Sequence, residues 1–169
     1  EYDYNYDLKR QDISASELGA DLTDWLFTYQ TVDGFAHSYD KWTKTKSLAW
    51  LVAALYQAKK DSANLAELMS EADKIKADSP AYATLRHHQI RLLIDAGKTA
   101  EARQKLDEIS VQMSKYPRST QNDFASQKMQ LAQNLDEYLK HAQRLPATFV
   151  WSDDANEEGD DLKGNKELS

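Results

Sequence analysis

The residues with the most chemical capacity in this chain stand together in Arg86-His-His-Gln-Ile-Arg91, two imidazoles between two guanidinium groups. Imidazoles hold metals and move protons, but adjacent helical side chains diverge by about 100°. Helical metal pairs use i, i+3 or i, i+4 spacing instead. The four-residue offsets from His87 are Ala83 and Arg91, and those from His88 are Thr84 and Leu92, so no metal is expected. His88 shares a core-facing side with Tyr82, Leu85, Leu92 and Ala96, which predicts a half-buried, hydrogen-bonded imidazole. His37 with Asp40 and His141 with Glu137 have helical pair spacing and read as surface pairs. The carboxylate neighbours Asp107-Glu108 and Asp136-Glu137 do not face each other on a helix, so neither makes an acid/base pair. Gly-rich phosphate loops, G-x-S-x-G elbows and H-E-x-x-H are absent. No catalytic residue, no cofactor and no enzymatic activity are expected.

What remains is recognition. Arg86 and Arg91 would project from one helix with His87 between them, and guanidinium groups pair well with carboxylates. With the aromatic Trp50 and Tyr82 they are assigned to a ligand groove for a protein or peptide, an acidic peptide or chain terminus being the first candidate. The same arginines can instead pair with nearby acids such as Asp95 or Asp123. Lys59 and Lys60, at a turn, are expected to lie outside the groove. Trp25, Tyr29, Tyr39, Trp42, Trp50, Tyr56 and Tyr82 could line a groove, but their helical spacing favours core packing.

Charge and hydropathy narrow the partners. The net charge of −7 comes from the ends: residues 1–13 carry four acids and two bases, residues 152–169 seven and two, and the stretch between is balanced. A neutral body with acidic ends offers no footprint for a phosphate backbone or an anionic membrane surface, so nucleic acid is not expected as a partner. The longest uncharged run, Ser47 to Ala58, is well short of the roughly 20 residues a membrane-spanning helix needs, so no membrane insertion is expected. No cysteine occurs, which excludes thiolate chemistry and leaves the compartment open.

Five glycines and three prolines punctuate 169 residues, as in an all-α protein. A capping box at Ser14 to Glu17 predicts a first helix running to about Gln30, with Leu18, Leu22, Trp25, Leu26 and Tyr29 on its apolar face. Asp33-Gly34 turns into a second helix, Phe35 to about Thr43. A third, Ser47 to Lys59, is apolar on nearly every side and is expected to be the most buried. Asn64 with Glu67 caps a fourth, to about Lys76. Ser79-Pro80 opens a fifth, Gly97 closes it, and Thr99 opens a sixth that Pro117 stops. One long helix from about Thr120 to Gln143 reads as a cap. This gives a helical body over 14–145 between an arm (1–13), an apolar segment (146–151) and an acidic tail or linker (152–169). The linker-like tail and the lack of an opening Met suggest a piece of something longer.

Ser47-Leu-Ala-Trp50 and Ser79-Pro-Ala-Tyr82 start successive hairpins 32 residues apart. The stretch AYATLRHHQIRLLIDAGKTAEARQKLDEI, residues 81–109, resembles a tetratricopeptide unit, with Gly97 at the turn and Ala102, Leu106 and Ile109 at the small and apolar positions of the second helix. Aligned on Gly97, the first-helix positions for a small and an aromatic residue are taken by Ile90 and Arg86, so packing there must differ. The stretches DLTDWLFTYQ and KSLAWLVAALYQA are similar to segments of large uncharacterised bacterial helical proteins. The tetratricopeptide resemblance implies a right-handed superhelix of about three helix hairpins plus a capping helix, a concave surface lined by first helices, and a non-enzymatic role binding protein or peptide. The alternative is an accessory helical domain of an enzyme whose catalytic part lies outside this chain.

Overall fold

The computed structural model describes residues 21–143 and Pro146, all helix and turn, with no strand among them. The predicted arm, the Ser14 to Glu17 capping box, and segments 147–151 and 152–169 lie outside the described residues. The chain divides into two compact units after Leu106. The first carries α1 (Asp21–Gln30), α2 (Phe35–Thr45), α3 (Leu48–Gln57), α4 (Leu65–Asp73), α5 (Tyr82–Asp95) and most of α6 (Thr99–Ser110). The second carries the end of α6, a 3-10 turn at Met113–Lys115, α7 (Arg118–Gln130) and α8 (Leu135–Ala142).

In the first unit α3 is the hub, in contact with α1, α2, α4 and α5. Its near-continuous apolar sequence explains this, since a helix without a polar face must be surrounded. Trp50, Leu51, Ala53, Ala54 and Leu55 are all buried, and Trp42, Leu68, Leu85 and Leu92 complete the core around them. The expectation that α3 would be the most buried helix is not met. Eight of the 14 residues of α5 are buried, against five of ten in α3.

The helix ends follow their local chemistry. Gly97 adopts φ +72°, where a side chain would be strained, and Lys98 N–H reaches back 2.8 Å to the Leu93 carbonyl in a Schellman-type close. Gly34 is required for space rather than for backbone conformation. A Cβ there would stand 2.6 Å from the Thr28 carbonyl oxygen, because α2 starts directly against the end of α1. Asn64 occupies the N-cap position of α4 in a left-handed conformation, φ 58°, and its side chain makes no capping bond, contrary to expectation.

Two predicted elements differ. The apolar face expected of α1 is largely outside: Leu22 is 67% and Leu26 46% exposed, whereas Asp24 and Thr28 are buried. The helix is turned so that its polar residues meet partners from α2 and α3. The single long helix expected from Thr120 to Gln143 is broken after Gln130, and α8 begins anew at Asn134. Asn134 accepts from Glu137 N–H at 2.8 Å, and the Glu137 carboxylate accepts from Gln133 N–H at 2.9 Å, a reciprocal cap of the kind that starts helices. Ile109, Phe124, Gln127 and Leu131 are the buried residues among those described in this second unit.

Candidate functional site

The side chains singled out by sequence fall into three places in the first unit. Arg86 leaves any groove. It is 6% exposed, and its guanidinium donates to the Asp73 carboxylate (3.1 Å), the Ala72 carbonyl (3.3 Å) and the Gln89 side chain, with the Tyr82 ring 4.7 Å away. Gln89 and Lys105 also donate to Asp73, so α4, α5 and α6 are tied through one carboxylate. Burial pulls the Asp73 carboxyl upward, but hydrogen bonds from Lys105 and Gln89 and the charges of Lys105 and Arg86 outweigh it and hold it below the usual range. Tyr82 is buried beside this tie. Arg86 and Tyr82 are thus placed in the packing of the first unit rather than on an open surface.

Trp50 is placed in the same way. It is 1% exposed, with its indole N–H directed at Asp21 (3.3 Å), His37 edge-on to its ring (5.5 Å) and the Lys41 ammonium 5.2 Å from the ring centre. Sequence spacing paired His37 with Asp40, but the partner is Asp24, whose two oxygens lie 2.9 and 3.0 Å from His37 Nε2. Lys41 Nζ lies 2.8 Å from the same carboxylate, and that hydrogen bond raises the Lys41 pKa against the effect of burial. Asp40 pairs with Lys44 instead. No pattern in sequence announces this cluster, because Asp24 and its partners are 13 and 17 residues apart.

Arg91 is half-buried, and one terminal nitrogen donates to three carbonyls at the end of α3: Leu55 (3.0 Å), Tyr56 (3.2 Å) and Ala58 (3.0 Å). Its other terminal nitrogen faces Asp95 at 3.4 Å, one of the two acids named for it from sequence. These carbonyls would otherwise end the helix unpaired. Gln57 does the same for α1, its amide donating to the carbonyls of Thr28 (3.0 Å), Tyr29 (3.4 Å) and Thr31 (2.5 Å). With both guanidinium groups committed to the chain itself, the preference for an acidic ligand loses the residues that suggested it.

Gln57 joins α3 to the end of α1, Arg91 joins α5 to the end of α3, and across these three helices five rings form one strip. Trp25 stacks on Tyr29 (5.0 Å, 24°) and Tyr29 on Tyr56 (4.1 Å, 15°). Tyr56 meets His88 edge-on (5.5 Å, 75°), and His88 meets His87 (5.2 Å, 79°). Tyr56 is 41% exposed, Trp25, Tyr29 and His87 are half-buried, and His88 is buried. Trp25 is fixed by its indole N–H donating to the Ala49 carbonyl at 2.8 Å. Burial, with Tyr56 beside it, raises the Tyr29 pKa. Burial pushes His88 down to about 3, and His87 and Arg91 act in the same direction. His88 is thus neutral at physiological pH, with Nδ1 buried and without a hydrogen-bond partner.

Because the rings stack on one another, the strip offers the partly exposed rims of Trp25, Tyr29 and Tyr56, two of them phenols, with the His87 imidazole at its end. It holds no nucleophile-base pair, and among the described residues no three His, Asp or Glu side chains are grouped to hold a metal ion. No described helix is long and apolar enough to cross a membrane. Of the five side chains assigned to a groove, His87 alone keeps a place on this surface, joined by Trp25, Tyr29 and Tyr56. No family model, no curated protein and no solved structure matches this chain.

Proposed function

We propose that this chain is a non-enzymatic scaffold that binds a protein or peptide, built as a tetratricopeptide-like right-handed superhelix of about three hairpins and a cap. The observation that carries the reading is the ring strip across α1, α3 and α5. Aromatic side chains with polar tips give large contact area at low entropic cost, and binding energy at interfaces concentrates on Trp and Tyr. A second support is the spacing of the two side-chain caps. Gln57 and Arg91 lie 34 residues apart, the tetratricopeptide period, and each closes the first helix of the preceding hairpin.

The test is a selection of random linear peptides displayed on phage against the parent chain. Selected peptides are expected to lose at least tenfold in affinity for Tyr56→Leu and to keep it for Val111→Ser, an exposed apolar position in the second unit. Peptides indifferent to Tyr56, or no selected peptide at all, would overturn the reading.

A further inference from the structure

A cleft of about 450 Å³ lies on the first unit, away from the ring strip, between α4 and the start of α6 with the end of α5 as its floor. Its volume is in the range of small-molecule sites, roughly 300–1,000 Å³. The apolar lining is Leu65, Ala66, Met69, Leu92, Leu93 and Ala96, with the Ser70 hydroxyl beside them. The charged lining is Lys60, Lys98, Lys105, Asp73 and Glu101.

These charges are not equally available. Asp73 is already the acceptor for Lys105, Arg86 and Gln89, which hold it ionised and neutralised. Lys98 and Glu101 form an exposed pair at 3.3 Å. Lys60 makes no ion pair with any described residue, so of the three lining ammonium groups it is the one left to meet an anion.

We infer that this cleft binds a free medium-chain aliphatic carboxylate, its chain on Leu65, Met69, Leu92 and Leu93 and its head group on Lys60. An aliphatic chain asks for no hydrogen bonds from the walls, and a single carboxylate answers the single unpaired ammonium.

The test is calorimetric titration of the full chain with sodium decanoate below its micelle concentration, beside decanol and butyrate. Saturable one-to-one binding is expected for decanoate, at least tenfold tighter than for either comparison ligand. Lys60→Glu should weaken it at least tenfold. Ala66→Phe, which fills the cleft from an exposed position, should do the same. Lys59→Glu, the same charge change one residue outside the lining, should stay within threefold of the parent. Both Lys60 and Ala66 are exposed, so circular dichroism of the variants should match the parent. Absence of saturable binding, equal binding of decanol, equal losses for the two lysine variants, or an undiminished Ala66→Phe would each overturn the inference.

Discussion

The imidazole of His88 makes the stability of this fold depend on pH in a calculable way. Folded, its pKa is lowered to about 3, first by burial and then by the positive neighbours His87 and Arg91. Unfolded, it returns to the ordinary value near 6.5. Between these values the unfolded chain binds a proton that the folded chain does not. The sign follows from that: the contribution is fully present above about pH 6.5 and is lost as the pH falls toward 3. One pKa unit corresponds to about 1.4 kcal/mol, so the whole effect approaches about 5 kcal/mol at very low pH. Between pH 7.5 and 5.0, where the unfolded imidazole becomes largely protonated and the folded one hardly at all, the expected loss is about 2 kcal/mol. Urea unfolding followed by circular dichroism at the two pH values measures it. The comparison is His88→Leu, which fills similar space, removes the buried unpartnered Nδ1 and cannot titrate. Every other titrating group is common to both proteins, so the difference between their pH slopes isolates His88. If His88→Leu loses as much stability as the parent between pH 7.5 and 5.0, His88 is solvated or protonated in the folded state and the reasoning fails.

Four further outcomes follow from the geometry of the first unit. Gly34→Ala should cost about 1–3 kcal/mol, because its methyl group meets the Thr28 carbonyl oxygen at 2.6 Å. Gly97→Ala should cost about 1–2 kcal/mol through backbone strain alone, at φ +72° with open space around it, and Gly97→Asn less; a thermal melt in which Gly97→Asn is the worst of the three refutes both assignments. Arg91→Met should destabilise by about 1.5–3 kcal/mol in denaturant titration, the range for hydrogen bonds to a charged group. Asp24→Ala should cost about 3–5 kcal/mol by leaving Lys41 and His37 without their shared carboxylate. Adding Lys41→Met should recover part of that loss, and strict additivity in the double-mutant cycle would show that the pair is not coupled.

The parts of this fold legible in sequence are those governed by neighbours along the chain. Gly97 announces a left-handed helix end, and the apolar run from Leu48 to Leu55 announces a surrounded helix. The break before α8 was legible too, since Asn134-x-x-Glu137 is a capping signature, but the apolar residues on either side, Leu131, Leu135 and Leu139, suggest one continuous helix. The rotation of α1 was not legible. Counting apolar residues places Leu22 and Leu26 inside, yet Asp24 and Thr28 take those positions because His37, Lys41 and Gln57 supply partners from 13 to 29 residues away. The partners of the two arginines are hard to read for a related reason. A guanidinium in sequence suggests an acidic ligand, but Arg91 here serves main-chain carbonyls, which every residue possesses and no sequence pattern marks.

That use of carbonyls bears on why the repeat we propose is faint in the residues themselves. A helix end exposes unpaired carbonyls, and in an array of parallel helices the nearest donor can come from the next helix rather than from the helix's own C-cap. The requirement is a side chain with several N–H groups at the right height on that next helix. A glutamine amide meets it at position 57, and an arginine guanidinium meets it at position 91. The physical constraint therefore recurs while the residue changes, and the aromatic contacts follow the same rule, with Tyr29, Tyr56 and His88 occupying one strip through two different kinds of ring. A repeat held this way would preserve donors and rings at spaced heights while its residue identities changed.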